Sequence, residues 1–429
     1  MKKGIVMTAL FALSAALGST PIGFAESTAA SGALLLAVET FARNERVIPL
    51  SYEHGGYICT HVKPPEIILR NISGKAVTVK RASLVGKSGG REIARFTVHE
   101  DRIGKLMFAQ NKQLNKLMSA PDDAGMVDQL KRLHGEPAIM EAGYNEGNVL
   151  PPSAYACLGL AEALFFFYEG TAVVDGLEIV VEAEAEGGAA SSVVYGLPYS
   201  SYACRGEYRF PIKGPSVVGS VPFGHSHRFA NGGEFAIDIV DIRRDDSGAF
   251  STSRVPSPMV ILGSDKVSDY HIFGREVRAI AKGKVLEISD RYPDEVAANP
   301  REPFSKRNER LKRMLIEKGA SSDSIAGGNY VLIDHGNGEY ARYCHLREEI
   351  PVKAGDLVEQ GKVIGYVGNS GNSTEPHLHL ELLDSPDVNA ANGLPIVFAN
   401  LDLARALDSP FFGKKNSFLF SEFIFVISD

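Results

Sequence analysis

A mostly β protein of two domains is predicted by three features of the 429-residue sequence: its length, its 43 glycines, and short β-branched and aromatic runs broken by Gly, Asn and Ser. Domains usually hold about 100 to 200 residues, so two globular domains with a small appendage are expected. The 44% apolar and 23% charged residues are ordinary for a folded chain, and the glycine count favours turns between short strands over a helical bundle.

At the N terminus, Lys2 and Lys3 precede a mainly apolar run from Ile5 to Leu17, and Gly23-Phe24-Ala25 places small residues at the minus-three and minus-one positions. Residues 1–25 therefore read as a secretory signal peptide cleaved after Ala25. The apolar run is shorter than the roughly 20 residues a bilayer requires, and no later run is long enough to span one. Glu26 rather than a cysteine would open the mature chain, which argues against a lipoprotein. The mature protein is expected to be exported, in the periplasm or outside the cell, with no stable membrane insertion.

Removing Lys2 and Lys3 leaves 43 basic against 52 acidic residues, about minus nine. That balance gives no reason to expect nucleic acid or anionic membranes as partners. Cys59, Cys157, Cys204 and Cys344 all lie in the mature chain. Export permits disulfides among the first three, with a connectivity that sequence cannot supply.

Residues 26–213 are expected to form an antiparallel sandwich, immunoglobulin-like, with a helical insertion. Strand signals include Glu66-Ile67-Ile68-Leu69 before the turn Asn71-Ile72-Ser73-Gly74, then Ala76-Val77-Thr78-Val79, Leu164-Phe165-Phe166-Phe167-Tyr168 and Leu177-Glu178-Ile179-Val180-Val181. Between Asp101 and Gly135, Leu106, Leu114, Leu117, Met118, Leu130 and Leu133 recur at near-helical spacing, a stripe suited to packing. Pro211, Gly214 and Pro215 mark a hinge. A second domain is expected over 216–389, with a charged helix between Asp290 and Ser324. A C-terminal extension, 390–429, ends in a strand-like run from Ser417 to Val426.

The chemistry concentrates in the second domain. His377-Leu378-His379 lies in an alternating segment, and in a strand residues two apart share a face, so both imidazoles would enter one site. Phe235-Ala236-Ile237-Asp238-Ile239-Val240 sets one carboxylate in an apolar strand, which is costly unless a metal or hydrogen bonds compensate it. His225 and His227 precede it across a turn containing Gly232 and Gly233. A histidine, an aspartate and a second histidine make a three-ligand set with an open position, as catalytic zinc requires. A water bound there would ionise near neutral pH. In Tyr343-Cys344-His345-Leu346, strand alternation would set His345 and Cys344 on opposite faces, which reads Cys344 as a packed thiol and leaves His345 free for the site. His335, in the turn-prone Asp334-His335-Gly336-Asn337-Gly338, reads as support for the fold.

The ordered set Gly274 to Val285, Gly328 to Gly336, Tyr343 to Leu346, Val352 to Asp356, Gly361 to Gly365, Gly368 to Ser373 and His377 to His379 resembles the lysostaphin-type (LytM-like) zinc endopeptidases. The resemblance covers roughly Phe223 to Leu382 and leaves the N-terminal half untouched. It implies a C-terminal β-sheet peptidase domain in which His227, Asp238 and His379 bind zinc while His345 and His377 act beside it. The substrates it implies are peptides of peptidoglycan stems or cross-links.

Two departures qualify this. About ten residues separate His227 from Asp238, where about three is common in the family, so His225 remains a rival ligand. The stretch between Val285 and Gly328 is also long, enough for an extra groove wall or lid. Other readings are a silent wall-binding or hydrolase-activating protein, a zinc peptidase for a non-wall peptide, and a biotinyl- or lipoyl-type carrier. The first would lack ligands that are present here. The carrier would need a lysine at the hairpin tip, where Gly368-Asn369-Ser370-Gly371 stands.

Overall fold

The computed structural model describes most of residues 28–403 together with 424–428; its longer omissions are 41–46, 120–136, 221–232, 245–249, 255–265, 295–312, 314–326 and 404–423. The signal segment, His225, His227, His134, Leu130 and Leu133 lie outside the described residues, as does almost all of the charged stretch between Asp290 and Ser324. The chain divides into two units, Met1–Ser201 and Tyr202–Asp429. Both are built mainly of antiparallel strands, the class expected from the glycine and β-branched content.

In the first unit, Gly176–Ala185 pairs on one side with Ala190–Leu197 and on the other with Val77–Ser88, which in turn pairs with Arg91–His99. Its strands alternate cleanly: Leu177, Ile179, Val181 and Ala183 are buried, while Glu178, Glu182 and Glu184 lie on the other face. A second sheet, Leu36–Thr40, Ile67–Asn71 and Tyr155–Leu158, contributes Leu36, Val38, Ile67 and Leu69 to the same core. A third joins Leu50–His54, Tyr57–Val62 and Leu164–Glu169.

The expected helical insertion begins with Glu100–Met118. Glu100 and Asp101 stand in its first turn and Lys116 in its last, each complementing the helix dipole. Ile103, Met107 and Leu114 are buried. Between them Asn111, fully buried, donates to the carbonyls of Met107 (2.6 Å) and Cys157 (2.8 Å) and accepts the Cys157 N–H (2.6 Å). One amide thus fastens the helix to the 155–158 strand.

In the second unit a long antiparallel sheet runs in the order Leu357–Val358, Gly283–Ser289, Asn329–Asp334, Tyr340–Leu346, Leu378–Leu383, Ile237–Val240, Gly214–Ser220, Ile424–Ser428, Leu401–Leu403. The central 378–383 strand is buried at all six positions, so both faces are covered and any polar side chain on it needs a partner. A separate pair, Glu276–Arg278 with Val363–Tyr366, adds Val277 and Ile364 to the core, and the buried Tyr343 hydroxyl accepts the Ile280 N–H at 2.9 Å. Glu339 is fully buried and accepts from the hydroxyls of Tyr202 and Tyr208, from the Arg205 N–H (3.0 Å) and from Asn337 Nδ2 (3.1 Å). Among the described residues no helix is long and apolar enough to cross a membrane.

The 329–334 and 340–346 strands pair Val331 with Tyr343 but Asn329 with Leu346. Tyr330 alone on one strand therefore faces two residues on the other, a β-bulge at Cys344–His345. His345 adopts φ 61°, a left-handed conformation uncommon outside glycine. Gly328, with φ 63°, sits opposite; a Cβ there would lie 2.5 Å from the Ser370 carbonyl carbon and oxygen, so only glycine permits this approach.

Candidate metal centre

Three adjacent strands supply the site. Asp238, on the 237–240 strand, is the cross-strand partner of His379, and His379 is the partner of Cys344 on the 340–346 strand. Directly opposed residues share a face, so Asp238, His379 and Cys344 project to one side. Alternation would send His345 to the other side. The bulge cancels it, and the His345 ring comes to 5.8 Å from that of His379 and 4.6 Å from that of His377, centroid to centroid. Cys344 keeps the expected role: it is a buried thiol packed with Tyr330 and Leu332, and burial pushes its ionisation up.

His345, His377 and His379 offer ligand atoms that all lie within 4.8 Å of one another. Asp238 Oδ1 lies 2.8 Å from His379 Nδ1 and 3.6 Å from His377 Nε2. Imidazole nitrogens with one carboxylate are the donor set zinc prefers. The cluster also makes sense of a carboxylate in an apolar strand. Asp238 is brought together with His345, His377 and His379, while His225 and His227 fall outside the described residues.

What each histidine does with its other nitrogen separates them. His345 Nδ1 donates to the Ser370 carbonyl at 2.8 Å, and His377 Nδ1 donates to the Glu375 carbonyl at 2.7 Å with Ser373 Oγ at 3.1 Å. His379 instead turns Nε2 to the buried Glu381 carboxylate at 2.8 Å. Burial opposes charge on His379, but hydrogen bonds to Asp238 and Glu381 overcome it and hold the imidazole well above its ordinary range. Burial and then the neighbouring His377 and His379 press His345 the other way, well below that range.

Glu381 is the residue the motif reading passed over, although its place two positions after His379 on a strand puts it on the same face. Arg342, its cross-strand partner, lies 3.8 Å from the Glu381 carboxylate and stacks over the Tyr330 ring at 4.8 Å. His335 lies away from this cluster. Its Nδ1 donates to the Lys282 carbonyl at 2.9 Å, and its ring packs on Tyr208 at 5.3 Å, the supporting role expected of it.

Residues 268–392 match the model of Peptidase family M23. This segment is an M23 domain.

The match holds His345, His377, His379 and Glu381; Asp238 precedes it. The chain is 54% identical over 56 residues to "Peptidoglycan DD-endopeptidase ShyA" of Vibrio cholerae, covering 13% of each chain. It is 45% identical over 69 residues to "Peptidoglycan DD-endopeptidase ShyC" of the same organism, 16% of this chain and 15% of that one. Against "Lysostaphin" of Staphylococcus simulans it is 34% identical over 85 residues, covering 20% and 17%. The aligned stretches therefore span well under two thirds of these relatives. Among solved structures, the catalytic domain of lysostaphin from Staphylococcus simulans aligns over 33% of this chain and 84% of its own, at 21% identity and a TM-score of 0.19. "Crystal structure of a zinc containing peptidase from vibrio cholerae" aligns over 83% and 84%, at 14% identity and a TM-score of 0.18.

Proposed function

We propose that the chain is an exported zinc metalloendopeptidase that hydrolyses peptide bonds of peptidoglycan. The observation that carries this reading is the convergence of three imidazoles and Asp238 at three adjacent strands in the middle of the second unit's sheet, three of those four residues lying in the M23 domain. Export rests on residues 1–25, and the substrate on the names of the M23 relatives, both DD-endopeptidases of peptidoglycan.

His379 and Asp238 would hold the ion, with His227, or its rival His225, completing the set. His379 is favoured as a ligand because a carboxylate on the distal nitrogen is the usual support of a metal-bound imidazole. A zinc ion held by these residues would supply Lewis acidity toward a water and the scissile carbonyl.

The chain's own groups would manage the protons and charge. His345, held neutral with Nδ1–H directed at Ser370, presents a basic Nε2 suited to accepting a proton from the attacking water. His377, with Nδ1–H committed to Glu375, presents Nε2 on the Asp238 side, where, once it has taken up a second ring proton, it would donate to the developing oxyanion or to the leaving amine.

The test is mass spectrometry of soluble fragments released from purified peptidoglycan by the chain beginning at Glu26, with a chelated sample and His377→Ala as controls. Zinc-dependent release by the wild type alone is expected, and fragment masses will name the bond. Release that persists in the chelated sample would overturn the metal mechanism, and no release with zinc bound would overturn the wall substrate.

A further inference from the structure

Beside the ligand set, the 327–329, 345–347 and 368–370 segments meet in a densely hydrogen-bonded junction. Asn329 and Ser370 are fully buried, a rare state for these side chains unless they are satisfied. Ser370 Oγ accepts the Asn329 N–H at 2.9 Å and donates to the Leu346 carbonyl at 2.7 Å. Asn329 Nδ2 donates to the same carbonyl at 3.1 Å and to the Tyr292 carbonyl at 2.6 Å, while its Oδ1 accepts the Tyr292 N–H at 2.8 Å. The Gly368 N–H donates to the His345 carbonyl at 3.0 Å. His345 is thereby gripped at its own carbonyl, at the carbonyl after it and at ring Nδ1, around a φ of 61°.

Left-handed backbone at a bulky residue is costly and persists only where the surroundings over-determine it. The Asn329–Ser370 junction supplies that determination. We propose that Ser370 and Asn329 are positioning residues for His345, holding the bulge that aims its ring and the carbonyl that keeps the proton on Nδ1, so that Nε2 alone faces the site. The assignment rests on the reading of His345 as an acid–base group, but its structural half can be tested without that reading. Neither side chain reaches the cluster of His345, His377, His379 and Asp238 through a bond of its own; both act through His345.

A basic Nε2 requires the Nδ1–H tautomer. If the proton moved to Nε2, the same ring in the same place would have no lone pair to offer. Ser370→Ala removes one oxygen and leaves the carbonyl that His345 uses, so it isolates the positioning effect from direct contact.

The experiment is long-range 1H–15N correlation of the full mature chain, zinc-loaded and labelled with 15N-histidine, with His345 assigned by its loss in His345→Gln. Wild type is expected to show His345 as the Nδ1–H tautomer. Ser370→Ala is expected to show a mixture of tautomers, with zinc content unchanged, kcat lower by roughly tenfold and KM steady. Ser370→Cys, which restores a weak donor, is expected to fall between them. An Nε2–H tautomer in the wild type would overturn the proposal whether or not the chain is active, as would Ser370→Ala with unaltered tautomer and kcat. Should Ser370→Ala not fold, the wild-type tautomer decides. An Nδ1–H chain that cuts no peptide would refute the peptidase reading and leave the positioning of His345 standing.

Discussion

His379 is held between two carboxylates, Asp238 at 2.8 Å on Nδ1 and Glu381 at 2.8 Å on Nε2. Only Asp238 lies beside the other imidazoles, so Glu381 acts by orienting the ring and raising its basicity. Glu381→Gln is expected to weaken zinc retention by about 10- to 100-fold in chelator competition while the fold persists. His379→Ala is expected to lose the metal, and His377→Ala to keep it and lose turnover. Equal zinc in wild type and His379→Ala would overturn the ligand assignment.

A second residue-scale prediction concerns His335. Burial is the main cause of its lowered pKa, and its Nε2 is buried with no hydrogen-bond partner among the described residues, so a second ring proton would have nowhere to go. The folded pKa lies below the unfolded value of about 6.5, so the unfolded chain binds the extra proton more readily. The stabilising contribution is therefore whole above about pH 6.5 and drains away as pH falls below it. Denaturant midpoints at pH 7.5 and 5.5 should draw apart less in His335→Gln than in wild type. Identical pH dependence of the two would refute this.

At the scale of elements, strand alternation carried much of the reading and failed at one informative place. It holds along Gly176–Ala185, where apolar and acidic residues take turns. It also places His377 and His379 together, and it would have found Glu381. At His345 it fails, because the bulge adds one residue to the 340–346 strand and turns the ring back toward His379. No local signal announces that bulge, since it depends on Gly328 and Ser370, which are distant in sequence.

The helix 100–118 offers the matching lesson. Leu114 lies on its buried face as the apolar spacing suggests, but the fastening is the polar Asn111. Asn111→Ala would remove three buried hydrogen bonds and is expected to lower the stability of the first unit by about 2 kcal/mol or more, read from its denaturant midpoint. A change below about 0.5 kcal/mol would show that the helix is held by apolar packing alone.

For the whole molecule, the sequence by itself determined the β class, the helical insertion, the lysostaphin-type resemblance in the second half, and, besides His227 outside the described residues, Asp238, His345, His377 and His379 as the residues to watch. These follow from local rules: turn residues at fixed offsets, side chains alternating along a strand, and charge placed where charge is costly. Tertiary structure alone decided how the four come together and what each imidazole does with its second nitrogen. Those outcomes are set by the order of strands, by one extra residue at a bulge, and by buried groups such as Ser370, Asn329, Glu381 and Arg342. A tautomer depends on which acceptor stands a few ångströms from a ring, and that neighbour is supplied by a segment remote in sequence, which no spacing along the chain encodes.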